Sequence, residues 1–328
     1  MAQAGGAALN GRRVTAALAA LLVAASTVGA CGGDDEPAAR AGGAIERDPA
    51  NVAVRITVGS KNFTEQKVLG ELYAQGLRAA GFSVVTALDL GDERTARRAI
   101  DRRVIDAYPE YTGTALVSLC GVSPRAVPDD PVKAYRQARY CLGRDDLAAL
   151  PPTPFASTNE VGVKRRLAQA LGLRTISDLR RVDDRVTLYG SPECPRRGDC
   201  LRGLREVYGL RFARFVAVPI AERHDVLSRP GRVASIVFST DPQIPRQDIV
   251  VLRDDRNMFP PANSTFVVRR TVARRGGEAL RRVVAQVQRG LTEEVMRELN
   301  ARVDLDGRSP AAVAQRYLRD TGLIAASG

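Results

Sequence analysis

The chain has 328 residues, 45% of them apolar, and carries 49 lysines and arginines against 37 acidic residues, a formal net charge of +12. That length supports two lobes with cores of their own. All but four of the basic residues are arginine; they stand in pairs scattered over several helical segments without an interleaved aromatic platform, which a GC-rich coding bias explains and which argues against a nucleic-acid surface.

At the N-terminus, Arg12-Arg13 precede a mostly apolar run from Val14 to Ala30, too short and wrongly flanked for a spanning helix. The run closes on Val28-Gly29-Ala30-Cys31, which resembles a bacterial lipobox. The resemblance implies a signal peptide over residues 1–30 and a lipid on Cys31 as first mature residue. An ordinary signal peptide with a chance cysteine is the alternative. Loss of Arg12 and Arg13 leaves 47 basic against 37 acidic residues, or +10, and attraction of this surface to anionic lipid beside an anchor is a minor alternative. After Gly32-Gly33-Asp34-Asp35-Glu36-Pro37 the chain to about Ala53 is rich in Ala, Arg and Gly with no apolar periodicity, so residues 31–53 are expected to form a flexible tether.

Four further cysteines, Cys120, Cys141, Cys194 and Cys200, make an even number in an exported protein, and disulfides are expected. Three connectivities are open; the sequence-local one, Cys120 with Cys141 and Cys194 with Cys200, closes short loops. A four-thiolate metal site is the rival reading, but no C-x-x-C pair exists and the only histidine is His224. No metal and no cofactor is expected.

The folded region is expected to open at Val54 with an alternating strand to Gly59, a polar turn over Ser60 to Gln66, and a helix carrying Leu69, Leu72, Tyr73, Gly76 and Leu77 that Gly81 ends. A strand at Ser83 to Leu90, a charged helix at Glu93 to Arg103 and a strand at Val104 to Tyr108 follow. This βαβαβ succession predicts a parallel sheet with right-handed crossovers and a ligand site at the carboxyl ends of its strands. Ser60 to Gln66 and Tyr108 to Thr114 both fall there. Further strands are expected at Asn159–Val163, Val186–Tyr189, Phe212–Val216 and Ala234–Phe238, with a helix at Leu204–Val207. Toward the C-terminus Leu280, Val283, Val284 and Val287 share a helical face, and Ser309-Pro310 opens a last helix to Asp320.

Gly59-Ser60-Lys61-Asn62-Phe63-Thr64-Glu65-Gln66 and Tyr108-Pro109-Glu110-Tyr111-Thr112-Gly113-Thr114 resemble the signature of substrate-binding proteins of ABC importers for glycine betaine, choline and related osmoprotectants. Val237-Phe238-Ser239-Thr240-Asp241, Val250 to Asp255 and Glu298-Leu299-Asn300-Ala301 resemble later landmarks in the same order. The resemblance implies an α/β, two-lobed periplasmic-binding-protein-like fold of the class II type, each lobe a mainly parallel sheet flanked by helices. Lobe 1 is expected over 54–156 and 257–323, lobe 2 over 157–256. It also implies a monomeric, extracytoplasmic binder that closes around a small-molecule osmolyte and presents it to an ABC permease with its ATPase subunit. A solute-sensing lipoprotein and an exported enzyme on the same fold are the alternatives, though no nucleophile stands in a recognisable elbow or triad.

A trimethylammonium group is best held by aromatic faces, and a carboxylate by cations, hydroxyls or backbone N–H groups. By resemblance Tyr111 belongs to the aromatic cage, Lys61 and Thr114 bind the polar end of the ligand, and Arg197 pairs with a carboxylate. Asn62, Phe63, Thr64, Tyr108 and Thr112 share the two motifs and are candidates with them. Asn159 and His224 stand where relatives commonly have cage tyrosines, and Pro242 to Gln247 lacks a further aromatic. With Thr240 and Asp241 as ligand or hinge contacts, these departures predict a pocket that holds a quaternary ammonium weakly and favours a more polar ligand.

Overall fold

A computed structural model describes residues 44–325, so the expected signal peptide and Cys31 lie outside the described residues. Packing against the core begins earlier in the chain than the expected start at Val54. Ile45 is buried in the main core, and its N–H donates to the Leu323 carbonyl at 3.0 Å. A 3-10 turn at Pro49–Ala53 is capped by Asp48, and the buried Asn51 side chain donates to the Ala80 carbonyl at 2.8 Å. The expected tether therefore does not extend to Ala53: a single docked isoleucine and one buried amide hold residues that carry no periodic signal.

In β1 (Arg55–Gly59) Ile56 and Val58 point into the core. Helix α1 (Thr64–Ala79) packs Leu69, Leu72, Tyr73 and Leu77 against it. Gly81, at φ +96°, makes the turn out of α1, and a Cβ there would come within 2.4 Å of the Asp48 carbonyl oxygen. After β2 (Ser83–Ala87), Asp92 caps α2 (Glu93–Asp101) by accepting the Thr95 N–H at 2.8 Å.

Strand β3 is Ala107–Tyr111, not Val104 to Tyr108, and it is covered on both faces. Arg103 turns at φ +61°, Val104 stays exposed, and pairing with β1 begins only at Ala107 opposite Val58. The segment expected to follow the strand end is thus itself strand up to Tyr111, then α3 (Thr112–Thr114) running into a wider turn at Ala115–Leu119. Helix α4 (Pro131–Arg144) is joined to that turn by the Cys120–Cys141 disulfide and leads to β4 (Leu147–Ala149).

The chain then crosses over, with Ala156 bridging Asn263. It continues through β5 (Asn159–Lys164), α5 (Arg165–Leu171), β6 (Thr187–Gly190), α6 (Leu201–Tyr208), β7 (Arg214–Ala217), β8 (Val233–Phe238), α7 (Gln243–Arg246) and β9 (Ile249–Leu252). It returns as β10 (Ser264–Arg269), α8 (Arg270–Arg289), α9 (Glu293–Asp304) and α10 (Pro310–Asp320). Leu280, Val283, Val287, Leu299 and Leu318 of the last three helices share one core with β1 and α1. Met258 packs in the core of the second sheet, so that half keeps the chain slightly beyond residue 256.

The two sheets have orders β2-β1-β3-β10-β4 and β7-β6-β8-β5-β9. Each is mixed rather than mainly parallel. In each, the strand entering from the crossover, β10 or β5, runs antiparallel to both its neighbours. Each starts at the carboxyl end of a parallel strand, Ser264 opposite Tyr111 and Asn159 opposite Phe238. Both crossover strands thus begin beside the strand ends where this kind of sheet binds ligands.

The Cys194–Cys200 disulfide closes the loop before α6. Gly203 lets α6 approach that loop, because a Cβ there would stand 1.8 Å from the Gly198 carbonyl oxygen. Gly203→Ala is expected to displace the loop and cost on the order of 2 kcal/mol. Thermal unfolding of the variant checks this, and an unchanged melting temperature would contradict it.

Candidate functional site

A cleft with an empty volume of about 700 Å³, counting its open mouth, lies between the carboxyl ends of the two sheets. Lys61, Asn62, Phe63, Tyr111 and Thr114 line it from the first sheet, with Asp92 and Glu93 at the start of α2. Ser157, Asn159, Ser191, Glu193, Arg197, Arg223 and Phe238 line it from the other side.

The turn after β1 is fixed by the turn after β2: Ser60 Oγ accepts the Asp89 N–H at 3.0 Å, and Asn62 N–H donates to the Gly91 carbonyl at 3.0 Å. Lys61 is thereby buried, with its ammonium bonded to Glu110 of β3. Burial pushes the Glu110 carboxyl up, and the Lys61 charge opposes that rise. Tyr111 donates its hydroxyl to Glu65 Oε1 at 2.6 Å, and Asn300 of α9 donates to Glu65 Oε2 at 2.9 Å. Burial raises the Glu65 carboxyl against these hydrogen bonds.

Three aromatic rings meet here. Phe63 stacks on Tyr111 at 6.3 Å between centroids and lies 5.3 Å from Phe238 in a tilted contact. Two protein cations cover these faces: Lys61 Nζ stands 4.6 Å from the Tyr111 centroid, and the Arg223 guanidinium carbon 4.5 Å from that of Phe238. Phe63 and Phe238 thus add aromatic faces to the cleft beside Tyr111, at positions other than Asn159 and His224.

Arg197 forks onto Asp199 at 2.8 and 2.6 Å and reaches Glu93 at 3.1 Å, linking the loop before α6 to the start of α2. Asn159 lines the cleft but also donates to the Asp199 carbonyl at 2.9 Å, so part of its bonding capacity holds that loop.

His224 does not face the cleft. It is buried, with Nε2 2.8 Å from Asp241 Oδ2. Its neighbour Arg223 takes the cleft position, because short 3-10 turns on either side, at Ile220–Glu222 and Asp225–Ser228, turn the two side chains apart. Asp241 is also withdrawn. It accepts from Arg223 Nε at 2.9 Å and from the Phe238 N–H at 2.7 Å, and so fixes both residues that form this wall. Burial alone would raise the Asp241 carboxyl; Arg223 and His224 outweigh it and hold the pKa at about 2.

Other expected contacts also lie away from the cleft. Thr64 bonds Asp304 of α9, Thr112 Oγ1 donates to the Pro261 carbonyl at 3.1 Å, and Thr240 Oγ1 meets Ser157 Oγ at 2.8 Å behind the cleft wall. Tyr108 packs into the core beneath β3. The cleft residues missing from the sequence reading are chiefly Glu93, Ser157, Arg223 and Phe238. Phe238 stands inside a quoted motif, and Glu93 follows a legible N-cap, but Arg223 left no signal beyond adjacency to His224.

A family model described as the substrate binding domain of ABC-type glycine betaine transport systems matches residues 54–320. The chain belongs to this family. The chain is 30% identical to a glycine-betaine-binding protein of Pseudomonas aeruginosa, over 83% of this chain and 89% of that one. It is 27% identical to an ergothioneine transport permease/ergothioneine binding protein of Helicobacter pylori, over 85% of this chain but 49% of that longer protein. In fold it resembles the crystal structure of a glycine betaine/carnitine/choline ABC transporter protein, with a TM-score of 0.64 and 22% identity, covering 81% of this chain and 98% of that one. The chain is thus the extracytoplasmic substrate-binding component of an ABC importer of the osmolyte class, in a family of transport binding proteins rather than enzymes.

Asp241 contributes stability that is fully present above its ordinary pKa of 3.8 and is lost as pH falls toward about 2. Asp241→Asn is expected to flatten that acid-side loss in pH-dependent thermal unfolding, and to cost about 3–5 kcal/mol at neutral pH by leaving Arg223 buried without its carboxylate. An unaltered acid limb would contradict the assignment.

Proposed function

We propose that this protein captures a small zwitterionic amine, more polar than glycine betaine, by closing its two lobes on the cleft, and delivers it to a membrane permease driven by a cytoplasmic ATPase. The relatives' names differ, glycine betaine in one and ergothioneine in the other, so family membership leaves the ligand open. The observation that carries the ligand reading is the cover on the aromatic faces: Lys61 over Tyr111 and Arg223 over Phe238. A quaternary ammonium gains about 0.5–2 kcal/mol from each free face. Here it competes with cations already in place: Lys61 stands over Tyr111 and, at 5.9 Å, beside the Phe63 ring, and Arg223 covers Phe238.

In this reading the ligand's anionic end meets Lys61, Arg197 or Arg223, and its polar amine end meets Glu93, Glu193, Ser157 and Asn159 beside the ring of Phe63. Thr114 and Asn62 border the same space. His224, Thr240 and Asp241 act from behind the wall and contact no ligand.

Titration calorimetry against glycine betaine, choline, carnitine and a panel of polar amines tests this. A polar amine is expected to bind at least about tenfold more tightly than glycine betaine or choline. Micromolar or tighter binding of either quaternary amine would contradict the polar-ligand reading.

The membrane attachment is part of the same proposal. Residues 1–30 act as a signal peptide, and Cys31 takes lipid, so the binder stays close to its permease at raised effective concentration. Fatty-acid labelling in the producing cell is expected to mark the parent and to be lost in Cys31→Ser. Equal labelling of both would overturn the anchor.

A further inference from the structure

We propose that the arginine-rich face of α8 lies against anionic phospholipid headgroups when the protein is anchored, an inference that rests on the lipid at Cys31. The stretch from Arg274 to Arg289 holds five arginines, Arg274, Arg275, Arg281, Arg282 and Arg289, against one acidic residue, Glu278. The helix bends at Gly277, where φ is 54° and ψ is −141°. In the straight part beyond the bend, Arg281, Arg282, Ala285 and Arg289 recur at helical spacing and are exposed, while Leu280, Val283, Val284 and Val287 are buried on the opposite face. Between Arg274 and Arg289 the one ion pair among the described residues is Arg281 with Glu278 at 3.0 Å.

The contacts of Ala44 and Ala53 make this face distinctive. Gln286 Nε2 donates to the Ala44 carbonyl at 3.0 Å, and Arg275 Nη2 donates to the Ala53 carbonyl at 2.8 Å. The segment leading from Cys31 therefore reaches the folded body on the flank of α8. Residues 32–43 span at most roughly 45 Å even if fully extended, so an anchor at Cys31 keeps this flank near the bilayer. Asp34, Asp35 and Glu36 beside the anchor and Glu46 and Asp48 nearer the helix offset part of the charge, while Arg40, Arg47 and Arg55 add to it. Val52, 63% exposed in the same segment, offers an apolar contact at headgroup depth.

Cations held at an anionic surface strengthen attachment by roughly fivefold each in partition, and the effect falls away within a Debye length. The face would thus orient an already anchored protein rather than anchor it.

The test uses the full mature, lipidated chain in vesicles of phosphatidylcholine, with and without phosphatidylglycerol. A fluorophore is placed on α8 through Ala285→Cys or on the second lobe through Ala213→Cys, and a quencher is attached to the lipid. The Ala285 probe should be quenched at least about threefold more strongly when phosphatidylglycerol is present, an effect lost at high salt, and the Ala213 probe should be indifferent. The combined variant Arg274→Glu, Arg282→Glu and Arg289→Glu should remove the difference while leaving the melting temperature unchanged. A lipidated chain whose Ala285 probe responds equally in both vesicles, or no more than the Ala213 probe, overturns this inference alone. Absence of lipid on Cys31 by mass spectrometry overturns it together with the anchor.

Discussion

The cations that line the cleft each bring a carboxylate with them: Lys61 pairs with Glu110, Arg197 with Asp199 and Glu93, and Arg223 with Asp241. A buried charge without a partner costs several kcal/mol, so a polar site at the junction of two apolar cores can persist only as pre-neutralised pairs. The pairing decides the architecture around it. Lys61 reaches Glu110 because the turn after β1 and the end of β3 are neighbours in one parallel pair. Arg223 reaches Asp241 because both flank β8.

These pairs do not leave the cleft inert. They aim cations at aromatic rings that would otherwise be free for a ligand, and they place Glu110, Asp199 and Asp241 behind the surface while Glu93 stays on it. What remains for a ligand is a mixed environment of partly satisfied charges, hydroxyls and one less-covered ring. Such a surface discriminates by hydrogen-bond geometry more than by apolar or cation–π contact. The Arg197–Glu93 pair also joins residues carried by the two sheets, so lobe closure and site chemistry share a bond.

Much of the fold was legible because local signals agreed. Alternation in β1, the apolar stripe of α1 and the cap Ser309 mark their elements without tertiary help. Strand β10 left no comparable mark: buried on both faces, Ser264–Arg269 has no alternation to read, and its pairing sets the true span of β3. The mixed sheets follow from the same two crossover strands. In the site, Lys61 and Tyr111 were legible from their motifs. Arg223 rather than the expected His224 lines the cleft, because irregular 3-10 turns carry no period by which a side chain's direction can be inferred. Ile45 and Asn51 were illegible for a related reason, since one docked side chain in a polar segment resembles a tether.

The central claim is that the cleft between the sheets, with its paired cations and three aromatic rings, holds a small polar amine. Mass spectrometry of small molecules released by denaturing the exported protein tests it most directly, with Tyr111→Ala purified in parallel. The account predicts one amine of zwitterionic character, near stoichiometric in the parent and depleted in the variant. A sugar, an anion without an amine, or glycine betaine itself held equally by both proteins would contradict it.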